Sequence, residues 1–253
     1  IRYRRLSLAL RYLLYVVTQR PQLPLAALAE SRSMALTGSA SWISDLQYAL
    51  QQLPVPVKFP IADALTPDTV KKCAQQVLQS LRSYLSNEVR GSERLRLLSA
   101  RSHNLGIIAR RKYLSLDSRA LRQAICRLLA SDHPFAIEGL RRRSPPIPRE
   151  WRICRFCQGR NMVEDEAHVL MCCQADILRS LRAHFMRRVH NALTAHGRAI
   201  SMSSPNRFLM AVIADECTQH IVAQFISDVF GCCDAVPLLV VTTMEQYQSY
   251  AIL

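Results

Sequence analysis

The sequence predicts a mainly α protein, a multi-helix bundle, on three observations. Apolar residues recur at three- and four-residue steps over most of the chain. Ser, Thr and Pro stand where helices should start and stop. No strand-rich region, internal repeat or low-complexity tract breaks the pattern. The 253 residues suffice for one large domain or two, and 49% hydrophobic residues with 21% charged exclude wholesale disorder.

After an Arg-rich start, Leu6, Leu10, Leu13, Leu14 and Val17 mark a first amphipathic helix that Pro21 closes. Residues 24–36 form a candidate second helix. A third opens on Ser41 or Ser44 as cap, faces Ile43, Leu46, Leu50 and Leu53 inward, and ends at Pro54 and Pro56. Four prolines within residues 54–67 indicate a linker. Thr66-Pro67-Asp68 starts a long helix, with proline at the first position, where its missing N–H costs nothing. Val70, Ala74, Val77, Leu78, Leu81 and Leu85 mark its buried face. Another helix, over about 117–131, places Leu121, Ile125, Leu128 and Leu129 inside and Arg119, Arg122 and Arg127 outside. The stiff segment 144–150, with Ser144-Pro145-Pro146-Ile147-Pro148, is the clearest boundary and closes a helical region over 1–143. A C-terminal helical region, 176–253, carries helices at about 175–196, 205–230 and 236–249, although the run Leu238 to Thr243 is β-branched enough for a short strand.

Between these regions, residues 151–175 hold Cys154, Cys157, His168 and the pair Cys172-Cys173. Two thiolates two residues apart reach one tetrahedral ion from a tight turn, and a His with a third thiolate completes four-coordination, so the spacing reads as a zinc knuckle inserted in the bundle. With no position left for water, such zinc is structural. The competing reading is buried free cysteines beside a core histidine. The fourth ligand stays open on spacing. A continuous helix puts Cys172 at i+4 from His168, whereas a helix that stops near Met171 lets the chain turn back and present Cys173.

Asp165-Glu166-Ala167-His168 spells the DEAH box of helicases, but no phosphate-binding G-x-x-x-x-G-K-[ST] loop accompanies it and the chain has only seven glycines. Glu164, Asp165 and Glu166 have a simpler use as first-turn acids complementing a helix dipole. G-x-S-x-G, H-E-x-x-H, a dinucleotide glycine fingerprint and paired metal-binding aspartates are likewise absent, so the chain reads as a non-enzyme. His103 and His133 read as surface or cap residues. Trp42 and Trp151 read as core anchors, with Trp151 and Phe156 also placed to stack on a base beside the knuckle.

Charge points to a partner. Residues 1–81 carry nine basic against four acidic side chains, 82–198 carry 23 against 10, and 199–253 carry 1 against 5. Arg supplies 29 of the 33 cations, and its planar fork grips phosphate oxygens bidentately, so RNA or DNA is the natural partner. Arg141, Arg142, Arg143, Arg152 and Arg155 bracket the proline segment and the metal turn and are expected to form one phosphate-binding surface, with Arg155 projecting outward. The rival expectation pairs them internally with Glu138, Glu150, Glu164 or Asp165. No apolar run approaches the eighteen residues needed to span a bilayer. Nine scattered cysteines, an odd number, favour a reducing intracellular compartment over an oxidised framework. A chain that opens on Ile rather than Met reads as a piece of a longer product.

The stretch Trp151-Arg152-Ile153-Cys154-Arg155-Phe156-Cys157, then Val163-Glu164-Asp165-Glu166-Ala167-His168-Val169-Leu170 and Cys173, resembles the zinc-binding segment that follows the reverse-transcriptase domain in LINE-type, non-LTR retrotransposon polyproteins. Arg4-Arg5-Leu6, Ser41 to Leu46 and His133 to Glu138 look, more loosely, like the post-polymerase helical region of such elements in mushroom-forming fungi. The resemblance implies His-x4-Cys, and therefore Cys173, as the fourth ligand. It further implies an accessory region of a polyprotein that copies RNA into DNA at a nicked chromosomal target, a nuclear setting, and the upstream polymerase domain as a partner. The family's catalytic Tyr/Phe-x-Asp-Asp has no counterpart here.

Overall fold

The computed structural model describes residues 2–101, 108–159 and 162–250. It is mainly α, about 64% helical, and the described residues contain no strand beyond one isolated bridge. The chain divides into two compact units, Ile1–Gly91 and Ser92–Leu253. The division therefore falls after the long helix rather than at the proline segment 144–150. That segment lies inside the second unit, where Ile147 is buried and its amide donates to the Leu140 carbonyl.

The first unit packs α1 (Arg2–Gln19), α2 (Gln22–Leu36), α3 (Trp42–Gln51) and α4 (Pro67–Gly91) around one apolar cluster. α1 buries Leu6, Leu10, Leu13 and Val16, close to the expected stripe. Helix α3 starts in a capping box in which the Ser41 side chain accepts from the Ser44 amide and Ser44 reciprocates. Helix α4 is rotated from expectation. It buries Val70, Cys73, Val77 and Ser80, leaving Ala74 and Leu78 exposed. The rotation follows its packing on α1, where Tyr3 stacks on Tyr84 and hydrogen-bonds the Ser80 hydroxyl. The proline-rich connection before α4 is no free linker. Val57 and Phe59 enter the core, and Arg32 donates to the carbonyls of Ile61, Ala62 and Asp63.

The second unit contains α5 (Arg96–Ser99), α6 (Arg119–Leu129), α7 (Ala136–Gly139), α8 (Asp176–Ala195), α9 (Pro205–Ala214), α10 (Gln219–Ala235) and α11 (Met244–Ser249). Helices α6 and α8 both pack on α10, and Phe185 stacks on Phe225 with centroids 4.3 Å apart. The single helix expected over 205–230 is two. The Cys217 amide donates to the Asp215 side chain and the buried Thr218 hydroxyl donates to the Val212 carbonyl, turning the chain between α9 and α10. The β-branched run 238–243 forms neither helix nor strand. Leu238 and Val240 instead pack on Ala136, Leu140 and Ile147.

Trp42 is 40% exposed, not a core anchor, whereas Trp151 is half-buried against the Ala136, Leu140 and Ile147 cluster. His133 is buried rather than on the surface, and its Nε2 lies 2.9 Å from Glu166 Oε1. His103 lies outside the described residues.

Candidate metal centre

The knuckle begins as a narrow antiparallel pairing. Ile153 bridges Val163, the Cys154 amide donates to the Met162 carbonyl, and the Glu164 amide donates to the Arg152 carbonyl. Beyond Cys154 the chain turns tightly, with the Gln158 amide bonded to the Cys154 carbonyl at 2.9 Å and Gln158 held at a positive φ of 49°. This turn brings the Cys154 and Cys157 thiols to the same side, as the two-residue spacing predicts.

The opposite pair of donors depends on a widened helical turn. Asp165 caps it, its carboxylate accepting the His168 amide at 3.0 Å. His168–Cys172 is then π-helical, and the Cys173 amide bonds the His168 carbonyl at 2.6 Å. In an α-helix, residues five apart stand about 140° apart around the axis. The i→i+5 closure of a π turn brings them to one face. Cys173 thus arrives beside His168 and is fully buried, while Cys172 points to solvent. The helix neither continues as α nor stops at Met171, and that intermediate geometry selects the donor.

The resulting cluster is Cys154, Cys157, His168 and Cys173, whose ligand atoms all lie within 4.8 Å of one another. Cys154 Sγ and Cys173 Sγ are 3.8 Å apart, and Cys157 Sγ is 3.3 Å from His168 Nε2. Sulfurs on a tetrahedral zinc with bonds of about 2.3 Å stand about 3.8 Å from each other. The donor set and spacing fit a structural zinc ion. The hydrogen bond between Cys154 and Cys173 pushes the first thiol up, aided by burial, and holds the second well below the usual thiol range. Burial raises the Cys157 thiol. A divalent cation bound between these sulfurs would take the place of their protons.

The cluster is sewn into the second unit. Cys154, Val169, Leu170 and Cys173 belong to the same apolar core as α6, α8, α9 and α10, so the knuckle is no separate appendage. Arg182, from α8, donates to the Leu170 and Cys173 carbonyls and closes the end of the π turn. Sequence spacing carries no signal for that contact, because Arg182 is one of many arginines on an amphipathic helix.

The expected phosphate-binding surface does not form as such. Arg155 turns inward rather than outward. Its guanidinium pairs with Glu164 at 2.6 Å and donates to the carbonyls of Pro134, Cys233 and Val236. The last two lie at the C-terminal end of α10, where a cation complements the helix dipole. Arg152 is also buried, donating to the carbonyls of Ile147 and Ile137. The turn packs on the core of the second unit, and the carbonyls buried beside it need donors. Arg141 pairs with the buried Glu138 at 2.8 Å, and Arg142 with Asp132 at 2.9 Å. Of the five, Arg143 is solvent-exposed without an internal partner among the described residues.

The acidic run is likewise divided. Only Asp165 caps the turn. Glu164 accepts from Arg155 and from the Ala136 amide at the start of α7, and Glu166 faces His133. No helix among the described residues is long and apolar enough to cross a membrane. Comparison with family models, curated proteins and solved structures gives no match for this chain.

Proposed function

We propose that this chain is a nucleic-acid-binding accessory module in which a closed zinc centre is a structural staple and solvent-facing arginines hold RNA or DNA phosphates. The supporting observation is charge that cannot be neutralised from within. The chain has 33 Lys and Arg against 19 Asp and Glu, so complete internal pairing would still leave 33 − 19 = 14 cations over. Polyanion binding is the direct use of such an excess of arginine. The donor set Cys154, Cys157, His168 and Cys173, with Cys173 in place of Cys172, accords with the LINE-type pattern. It supports placing the module after the polymerase of such a polyprotein, as a non-catalytic region working in the nucleus with that polymerase domain.

The inward-facing Arg152 and Arg155 favour a second reading, a zinc-stapled helical scaffold for protein partners without nucleic-acid binding. Salt dependence separates the two. Under the first reading the full chain binds labelled RNA and DNA, with log affinity falling linearly against log salt because phosphate contacts release counterions. Absence of binding at low salt supports the scaffold and ends the first reading.

A further inference from the structure

A second surface stands apart from the metal centre. Within the first unit, α1 and α3 bound a groove of about 490 Å³ walled by Arg2 and Arg5 on one side and by Trp42, Asp45, Tyr48 and Gln52 on the other. Leu6, Ala9, Leu46 and Ala49 complete its lining. We propose that this groove binds single-stranded nucleic acid, with bases stacking on Trp42 and Tyr48 and the phosphate backbone following Arg2 and Arg5. The proposal rests on the nucleic-acid-binding reading and names the face that performs it.

Four observations support it. Helix α3 already buries Ile43, Leu46 and Leu50, so its outward aromatics are not needed for the core; Tyr48 is 65% exposed and Trp42 40%. Trp42 nevertheless sits in a fixed place. It is the first residue after the Ser41 cap, and Tyr12 meets it edge-on at 6.3 Å and 88°. Arg2 and Arg5 are exposed, and among the described residues no carboxylate pairs with either. Residues 1–91 carry eleven Lys and Arg against five Asp and Glu, so the groove lies on a unit of net positive charge.

The distribution within the groove also selects the ligand. Asp45 is the one acidic lining residue and lies on the aromatic wall, which repels phosphate there and leaves the α1 wall to the backbone. Duplex DNA keeps its bases stacked on one another and presents mainly phosphate to such a groove. An unstacked strand offers base faces to the rings and phosphates to the arginines together, and every base has a face to stack.

The test uses the full chain carrying Trp151→Phe, which leaves Trp42 as the only indole of the two in the sequence. A labelled twelve-residue oligothymidylate is titrated while polarisation and Trp42 emission are followed. The proposal expects Trp42 quenching in step with polarisation and weaker quenching by a duplex of equal length. Tyr48→Ala should weaken binding at least about fivefold. Arg2→Gln with Arg5→Gln should flatten the log affinity against log salt slope by about 1.4, two single-strand contacts at about 0.7 each. These three side chains are exposed, so their replacement leaves the core intact. Polarisation that rises with Trp42 emission and variant affinities unchanged overturns the groove but leaves the broader reading standing. No polarisation change at all overturns both. Quenching by an acidic, Leu-rich peptide but not by the oligonucleotide assigns the groove to a protein partner and also overturns it.

Discussion

Arg155→Ala is the perturbation with the largest expected consequence outside the metal ligands themselves. The pair Arg155 and Glu164 is almost sealed from water, with side-chain exposures of 3% and 0%. Removing the guanidinium leaves Glu164 as a buried carboxylate with only the amides of Arg155 and Ala136, and strips donors from the carbonyls of Pro134, Cys233 and Val236. Breaking one partner of such a pair costs about 3–5 kcal/mol. For a unit of this size, about 2–4 °C per kcal/mol converts that to a fall of roughly 6–20 °C in its melting temperature. Trp151 emission in a Trp42→Phe background follows the second unit by itself, since the two tryptophans fall in different units. Arg155→Met with Glu164→Leu should recover part of the loss, because removing both charges is less costly than stranding one. Arg155→Lys should not rescue, as a point charge cannot serve a carboxylate and three carbonyls in a fixed fork. An Arg155→Ala protein that melts within 1–2 °C of the parent but binds RNA more weakly would refute the reasoning and restore the outward-facing arginine.

Further outcomes follow from the same geometry. Cys173→Ser should abolish stoichiometric zinc in purified protein while Cys172→Ser leaves it unchanged, as read by metal analysis; the reverse pattern contradicts the π-turn selection. Arg182→Gln should weaken zinc retention about 10–100-fold in a chelator competition, the usual effect of removing a group that orients a ligand, and unchanged retention would show that the Cys173 carbonyl needs no such donor. Burial pushes the Cys73 thiol from the ordinary 9.0 up to about 11. Its folded state therefore holds the proton longer than the unfolded chain, and the stability it lends is complete below about pH 9 and lost as pH rises toward 11. Denaturant unfolding of the first unit should accordingly weaken over that window, and less so in Cys73→Ala; parallel curves would remove Cys73 as the cause.

The parts of the fold readable in the sequence are those set by local chemistry. The Ser41 cap, Pro67 at a helix start, the Leu6 to Leu13 stripe and the Cys154 and Cys157 turn all appear as their spacing implies. Where several apolar residues competed for one face, periodicity alone was not enough. Val70 and Val77 are buried as expected, but Cys73 and Ser80 are covered in place of Ala74 and Leu78 because α1 and Tyr3 decide which side of α4 is covered. Proline misled for a related reason. It bars regular hydrogen bonding but not burial, so the 54–67 and 144–150 segments pack Val57, Phe59 and Ile147 inward. At the metal centre, spacing points to Cys154, Cys157 and His168 and leaves Cys172 and Cys173 open; the resemblance implies Cys173, and the cluster in the structure contains it. For the arginines beside the cluster the sequence leaves phosphate contact and internal pairing both open, because charge alone does not say which group will receive it; Arg141 with Glu138 and Arg155 with Glu164 follow the internal alternative. Arg152 and Arg155 were resolved only by the buried carbonyls that tertiary folding placed around them.

The most direct measurement of the central claim is the zinc K-edge absorption spectrum of the purified chain at one zinc per molecule. A closed Cys154, Cys157, His168 and Cys173 site predicts three sulfurs at about 2.3 Å and one nitrogen at about 2.0–2.1 Å, with no oxygen in the shell. A spectrum requiring a water oxygen, or only two sulfurs, would contradict the structural staple and with it the placement of the metal in the core of the second unit.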